Sequence, residues 1–240
     1  VIHGFKDPHV LQVERSAPTP TNEAFTTVMQ TMASNKWEGW SSDISNAFGQ
    51  AMKTNRRQPL AASLPPGLAA AGFDCDPRCL LLCKTEVYGL ISGPSWLRQS
   101  LVACFEELGY VRNPYDRCIL TLAPSDVGRN KNVHNVGVVL IEVDDILEGG
   151  NAAHRKQMES FYAKFKCGKK INLFELGKAG TRISGIRVCQ NKDYTFEWHM
   201  NEYVDNEMST IDIPRGFKTH TKELSDDYMS QVMSINGKIG

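Results

Sequence analysis

Three aspartates are the residues whose type and setting point most directly to chemistry. Asp43 lies in "KWEGWSSDISNAFGQ", and Asp144 and Asp145 stand side by side in "VGVVLIEVDDILEGG". Each is flanked by large apolar residues, and an unpaired carboxylate in such a setting costs several kcal/mol unless something compensates it. Two readings stand at this point. The acids can be turn or helix-cap residues, for which Asp is well suited. Alternatively they form a cation site. A two-metal phosphoryl-transfer centre takes carboxylates from separate segments to hold two divalent ions about 4 Å apart, and hard oxygen ligands suit Mg²⁺. One acid at a strand end and two in a neighbouring hairpin meet that demand. An adjacent pair can divide its labour, because successive strand residues face opposite ways. Composition and spacing permit this site without proving it.

The elements around these acids must then position them. Val136, Val138, Val139, Leu140, Ile141 and Val143 are apolar and mostly β-branched, which predicts a strand, and Ile146 and Leu147 resume the pattern after an Asp-Asp turn. Trp37, Trp40 and Ile44 predict a short strand interrupted by Asp43. Ala24, Phe25, Val28, Met29, Met32 and Ala33 recur at the spacing of one helix face, ending near Asn35. A second amphipathic helix follows Pro94, with Trp96, Leu97, Leu101, Cys104, Phe105 and Leu108 on one face and Gly109 placed to end it. Met158, Phe161 and Phe165 mark a third. "DRCILTLA" reads as a strand able to pair with the one at Val136. "GTRISGIRVCQ" and "YTFEWHMNEYV" read as two strands joined by "NKD". Residues 52–76 read as an irregular excursion, residues 124–132 as a loop, and residues 212–240 as a weakly periodic tail. This order predicts an α+β fold with helices packed on one face of an antiparallel sheet.

Composition sets the bounds. The 240 residues suffice for one large domain or two smaller ones. Lys plus Arg and Asp plus Glu are both 27, so net charge gives a nucleic-acid reading no encouragement, although segregation between faces would still allow one. The densest basic cluster, "KFKCGKK" (Lys164 to Lys170), reads as a solvated helix end. No apolar run reaches the length of a membrane span. The seven cysteines include no CxxC pair; Cys75, Cys79 and Cys83 are broken by Pro77 and have no nearby His, which argues against zinc and for reduced intracellular thiols. The opening "VIHGFKDPHV" has neither an initiator Met nor a signal pattern and reads as a fragment.

The motifs around the acids resemble those of a known family, the reverse transcriptases of copia-type long-terminal-repeat retrotransposons. "GFKDP" (Gly4 to Pro8) and "APT" (Ala17 to Thr19) resemble its opening fingers segment. "DISNAF" (Asp43 to Phe48) resembles the first catalytic motif, Asp-x-x-x-Ala-Phe, and "LPPG" (Leu64 to Gly67) a Pro-Pro-Gly element. "VYGLISGPSW" (Val87 to Trp96) resembles the Tyr-Gly-Leu motif with its following helix, and "VDDIL" (Val143 to Leu147) the Tyr-x-Asp-Asp box. "ISGI" (Ile183 to Ile186) and "YV" (Tyr203 to Val204) resemble later landmarks. Each match is short; their common order over nearly the whole chain carries the resemblance.

The resemblance implies a right-hand polymerase architecture: one partial reverse transcriptase domain over 1–240, with fingers about 1–36 and 51–94, palm about 37–50 and 95–205, and the start of a thumb about 206–240. It implies RNA-directed DNA polymerase activity with two Mg²⁺ ions, Mn²⁺ being a substitute. Asp43 and Asp144 would hold both metals and Asp145 would be the accessory acid. Phe48, beside Ala47, would be a steric gate against a ribose 2′-hydroxyl; Tyr88 and Gly89 would line the nucleotide pocket; Ile183, Ser184 and Gly185 would touch the primer. The implied partners are an RNA or DNA template, a primer, deoxynucleotides, and integrase, ribonuclease H and protease domains of a polyprotein. The implied setting is intracellular: cytoplasm, virus-like particles and a nuclear stage. The chain departs from the family in having Glu142 where an aromatic Tyr is usual, Ile91-Ser92 in place of Lys-Gln, and no basic residue around Gly93 to Ser95. Those departures keep a different class of function open, a catalytically silent relic or domesticated nucleic-acid-binding scaffold.

Overall fold

A computed structural model describes residues 4–64, 67, 72, 73, 76, 78–124 and 134–207. Helix α1 (Asn22–Ser34) is capped by the Thr21 side chain, which accepts from the Ala24 N–H. Next come β1 (Gly39–Ile44), the single turn α2 (Ala47–Gln50), β2 (Ala61–Ser63), β3 (Leu80–Leu82) and α3 (Gly93–Glu107). Then β4 (Tyr110–Arg112), β5 (Ile119–Leu122), β6 (Gly137–Glu142), β7 (Asp145–Gly150) and α4 (Ala152–Lys164) follow. The chain continues through β8 (Cys167–Asn172), the short α5 (Leu173–Leu176), β9 (Thr181–Ile183), β10 (Ile186–Gln190), β11 (Phe196–His199) and α6 (Asn201–Glu207).

The main sheet is antiparallel, with six strands in the order β4-β5-β6-β7-β1-β8. Its centre, β6 and β7, is buried on both sides, and β6 reads as a nearly continuous apolar run rather than as an alternation. Val139, Ile141 and Ile146 point to one face, where α3 (Leu97, Leu101, Phe105) and α4 (Met158, Phe161) cover them. Val138, Leu140 and Leu147 point to the other, where α1 supplies Phe25, Val28, Met29 and Met32. The helices therefore cover both faces, not one as expected. The physical reason lies in the central strands: Val138, Val139, Leu140 and Ile141 run consecutively in β6, and Ile146 and Leu147 in β7, so apolar side chains face both ways and neither face can be left to water. Burial of these side chains, at about 1.5–3 kcal/mol each, is the main stabilising contribution to the fold.

Two local expectations also change. "GTRISGIRVCQ" is a hairpin rather than a single strand, because Ser184 and Gly185 both have positive φ (52° and 81°), as a two-residue type I′ turn requires. The three-stranded sheet β11-β10-β9 that results is tied to β1 by Gln190, which accepts from the Gly39 N–H and donates to the Trp37 carbonyl. The excursion at residues 52–76 contains β2, which pairs with an exposed β3. The expected loop at residues 124–132, Pro65 and Pro66, Cys75 and the tail from 208 onward lie outside the described residues, apart from Pro124. Among the described residues, no helix is long and apolar enough to cross a membrane.

Candidate active site

Asp43 is the fifth residue of β1, and its cross-strand partner on β7 is Asp145. Directly opposed residues of an antiparallel pair share a face, with Cβ atoms about 5 Å apart. The next strand extends the line: Asp145 is opposed on β6 by Glu142. On the far side of Asp43 stands Lys169 of β8. One transverse row, Glu142–Asp145–Asp43–Lys169, thus crosses four strands at one end of the sheet. Asp144 sits in the hairpin loop beside it, its carbonyl accepting from the Ile44 N–H at 3.0 Å. Asp43 and Asp145 therefore lie on neighbouring strands and share a face of the sheet, with Asp144 in the adjoining loop.

The loop is Val143–Asp144, one residue earlier than the expected Asp-Asp turn, and Asp145 begins β7. Val143 has φ 52°. A β-branched residue in that region carries strain of about 1–3 kcal/mol, held here by the register on both sides. On β8 the register slips between Asp43 and Ile44, leaving Gly168 as the extra residue of a bulge. A Cβ on Gly168 would stand 2.6 Å from Ser45 Oγ and 3.4 Å from Asp43 Oδ2, so the missing side chain keeps space open beside the acid.

The carboxylates act on one another. Burial, then Asp144 and Asp43, push the Asp145 carboxyl up to about 6. Burial raises the Glu142 carboxyl too, with Asp145 and Asp144 adding to it. Glu142 Oε2 is buried with no hydrogen-bond partner among the described residues. Two half-buried carboxyls made harder to ionise by burial and acidic neighbours, with an unmatched oxygen on one of them, fit a hard divalent cation by donor type. The placement is looser than a closed cage: among the described residues no three His, Cys, Asp or Glu side chains gather around one point. Mg²⁺ rarely needs such a cage, since one or two carboxylates plus substrate phosphate and water satisfy it. Asp43, Asp144 and Asp145 are the residues that would hold it.

The other expected site residues form a second wall. Past β1, Asn46 takes a left-handed conformation (φ 48°) that turns the chain into α2. Ala47 is buried in the α3–α4 core, while Phe48 packs only partly against it and meets the Tyr88 ring edge-on, with centroids 5.8 Å apart. Tyr88 is otherwise exposed, and Gly89 has φ 95°, open to glycine and strained for other residues. Sequence reasoning missed what holds this turn. Arg56 is buried between two carboxylates, donating to Glu86 through Nε at 2.6 Å and to Asp7 at 2.9 Å. Thr54 and Ser92 also donate to Glu86. Burial is the largest single influence and would raise both carboxyls; the Arg56 hydrogen bonds and charge, joined by the His9 N–H at Asp7 and by Ser92 and Thr54 at Glu86, together outweigh it and hold both below their ordinary values. The five residues come from three segments far apart in sequence, so no local pattern announces them.

The remaining assignments fare unevenly. Ser184 is exposed at the β9–β10 turn, with Gly185 half-buried next to it, and the Ile183 side chain is buried in the α1 core. The basic cluster disperses: Lys164 pairs with Glu107, Lys170 lies over the Tyr162 ring at 3.6 Å, and only Lys169 joins the acidic row. A separate buried network was also missed: Glu148 meets His154 Nε2 at 2.7 Å and Arg155 at 2.9 Å, and His154 Nδ1 meets the Tyr110 hydroxyl at 2.8 Å. No family model, curated protein or solved structure matches the chain.

Proposed function

We propose that this chain is the fingers–palm part of a copia-type reverse transcriptase, an RNA-directed DNA polymerase. One observation carries the reading: Asp43 of "DISNAF" and Asp145 of "VDDIL" are cross-strand partners at one sheet end, with Asp144 in the hairpin loop next to Asp145. An assortment of turn-forming aspartates has no reason to produce that placement, and it supports the reading, in which Asp43 and Asp144 are the pair that share a cation. Asp43 and Asp144 would hold the divalent ions, and Asp145 would sustain the local negative potential that retains them. Bound Mg²⁺ supplies charge neutralisation at the α-phosphate and acidifies the primer 3′-hydroxyl. The chain's own residues do the rest. Phe48, whose ring meets Tyr88, would judge the sugar by size, and the Asp7–Arg56–Glu86 cluster would steady the turn that carries Tyr88 and Gly89.

Ion counting tests this. Titration of the metal-free protein with Mn²⁺, read by electron paramagnetic resonance, is expected to show sites that vanish in Asp43→Asn and Asp144→Asn and that Mg²⁺ competes away. Mn²⁺ binding unchanged in both variants would remove the metal assignment. The alternative, a silent scaffold that keeps the fold, draws support from Glu142, whose unmatched oxygen adds negative charge where the family carries an aromatic ring. It predicts duplex binding without nucleotide incorporation.

A further inference from the structure

A cluster of three arginines lies at the same end of the sheet, outside the acidic row. A pocket of about 430 Å³ is lined by Pro18, Arg98, Arg112, Asn113, Pro114 and Arg117. Arg98 projects from α3 and is fastened to the start of β5, where it donates to the Arg117 carbonyl. Its other terminal nitrogen, Nη1, is buried and has no hydrogen-bond acceptor among the described residues. A guanidinium nitrogen without an acceptor is costly, because its donors are fixed in direction and the group stays charged. Burial weakens Arg98's hold on its proton, and Arg112 and Arg117 push the same way. Two carboxylates stand among them. Glu106 pairs with Arg112 on the exposed side, and Asp116 accepts from the Cys118 N–H while partly offsetting Arg98. That leaves three cations against two anions, and the unmatched donor is the buried one.

Position gives the cluster meaning. Ile119 of β5 is opposed by Leu140 of β6, and the Ile141 N–H bonds the Cys118 carbonyl at 2.9 Å. Continuing that register brings Arg117 level with Glu142, two strands from Asp145. At about 4.8 Å per strand the separation is about 10 Å, or about three nucleotides at a rise of about 3.4 Å each. From Arg98, Arg112 and Arg117 at this place we propose an oxyanion site that takes a phosphate group, filled in use by a backbone phosphodiester of the strand engaged at the acids. The source of the phosphate rests on the polymerase reading; the pocket's chemistry does not. Arg suits the role through its planar, forked donors.

The test has two arms. In the first, a fluorescein-labelled primer–template duplex is titrated with wild type, Arg117→Gln and Arg98→Met between 50 and 200 mM KCl. Each variant is expected to raise Kd about 3–10-fold and to lower the slope of log K against log salt by about 1. A methylphosphonate at one duplex position should reproduce the loss in wild type and add nothing in the variants. Wild-type binding with unchanged Kd and slope in Arg117→Gln and in a folded Arg98→Met overturns the proposal. Arg117 is exposed, so its variant keeps the test valid should Arg98→Met fail to fold. In the second arm, ³¹P line broadening of inorganic phosphate is measured with the same proteins. Broadening by wild type but not by Arg117→Gln, with no duplex binding by wild type, keeps the pocket as a free-phosphate site and counts against the polymerase reading. Silence in both arms overturns the pocket.

Discussion

Replacing Asp145 with Asn is expected to stabilise the metal-free protein near neutral pH. Asp145 is half-buried, faces Asp43 across the strand pair and Asp144 beside it, and its carboxyl is pushed from 3.8 to about 6. Its folded form therefore binds a proton more tightly than its unfolded form. The stability this confers is complete below about pH 4 and is lost as pH rises through about 6. That interval corresponds to about 3 kcal/mol at ~1.36 kcal/mol per pH unit, and solvent screening of a half-buried group reduces it to about 1–2 kcal/mol. Asn removes the charge and keeps the shape. At pH 7.5 with EDTA, Asp145→Asn should raise Tm by about 3–6 °C for a chain of this size, and the fall in wild-type Tm between about pH 4 and 7 should flatten. Differential scanning calorimetry across that range measures both. Mg²⁺ should raise the wild-type Tm and do so less in the variant, because the ion relieves the repulsion the substitution has removed. A Tm in EDTA at pH 7.5 that is unchanged or lower in Asp145→Asn would refute the argument that these carboxylates burden one another.

Four further outcomes are expected. Glu148→Gln leaves His154 and Arg155 without their shared carboxylate and should cost about 3–5 kcal/mol, read by urea unfolding; a loss under 1 kcal/mol would show the network to be incidental. Gly137→Ala places a Cβ 2.2 Å from His154 Nδ1 and should lower Tm through the same network, with rescue expected when His154 is also reduced to Ala. Phe48→Ala should admit ribonucleotides in primer extension while leaving deoxynucleotide use largely intact, and unchanged sugar discrimination would take Phe48 out of the gate. Gly168→Ala crowds Asp43 Oδ2 and Ser45 Oγ and should weaken Mn²⁺ binding more than it lowers Tm; the reverse order would make Gly168 a purely structural bulge.

The helices and central strands were legible because their signals are local. Periodicity placed α1, α3 and α4, and the β-branched run before Glu142 placed β6. The acids stand out in the sequence because apolar neighbours make them expensive, and their order among short motifs carries the resemblance. Periodicity could not place α1 on the opposite face from α3 and α4, since a strand with consecutive apolar residues has no preferred side. Nor could the split of "GTRISGIRVCQ" be read, because Ser184 in a left-handed conformation is a turn choice that Ser seldom makes. Ile183 was assigned to a ligand on its motif alone, and its apolar side chain lies in the core. The Asp7–Arg56–Glu86 cluster, the Glu148–His154 pair and the arginine pocket depend on tertiary proximity. Only an inventory of buried charges reveals them. Glu142 was singled out in sequence, and its position in the same row as Asp145 explains why its carboxyl is raised.

The central claim is that Asp43 and Asp144 together support nucleotide addition to a primer. Primer extension on an RNA template with Mg²⁺ tests it most directly, comparing wild type with Asp144→Asn at equal fold content by circular dichroism. The account predicts Mg²⁺-dependent incorporation by wild type that drops at least about 10²-fold in the variant. Incorporation at the wild-type rate by Asp144→Asn, or none by a wild type that binds both duplex and Mn²⁺, would contradict it.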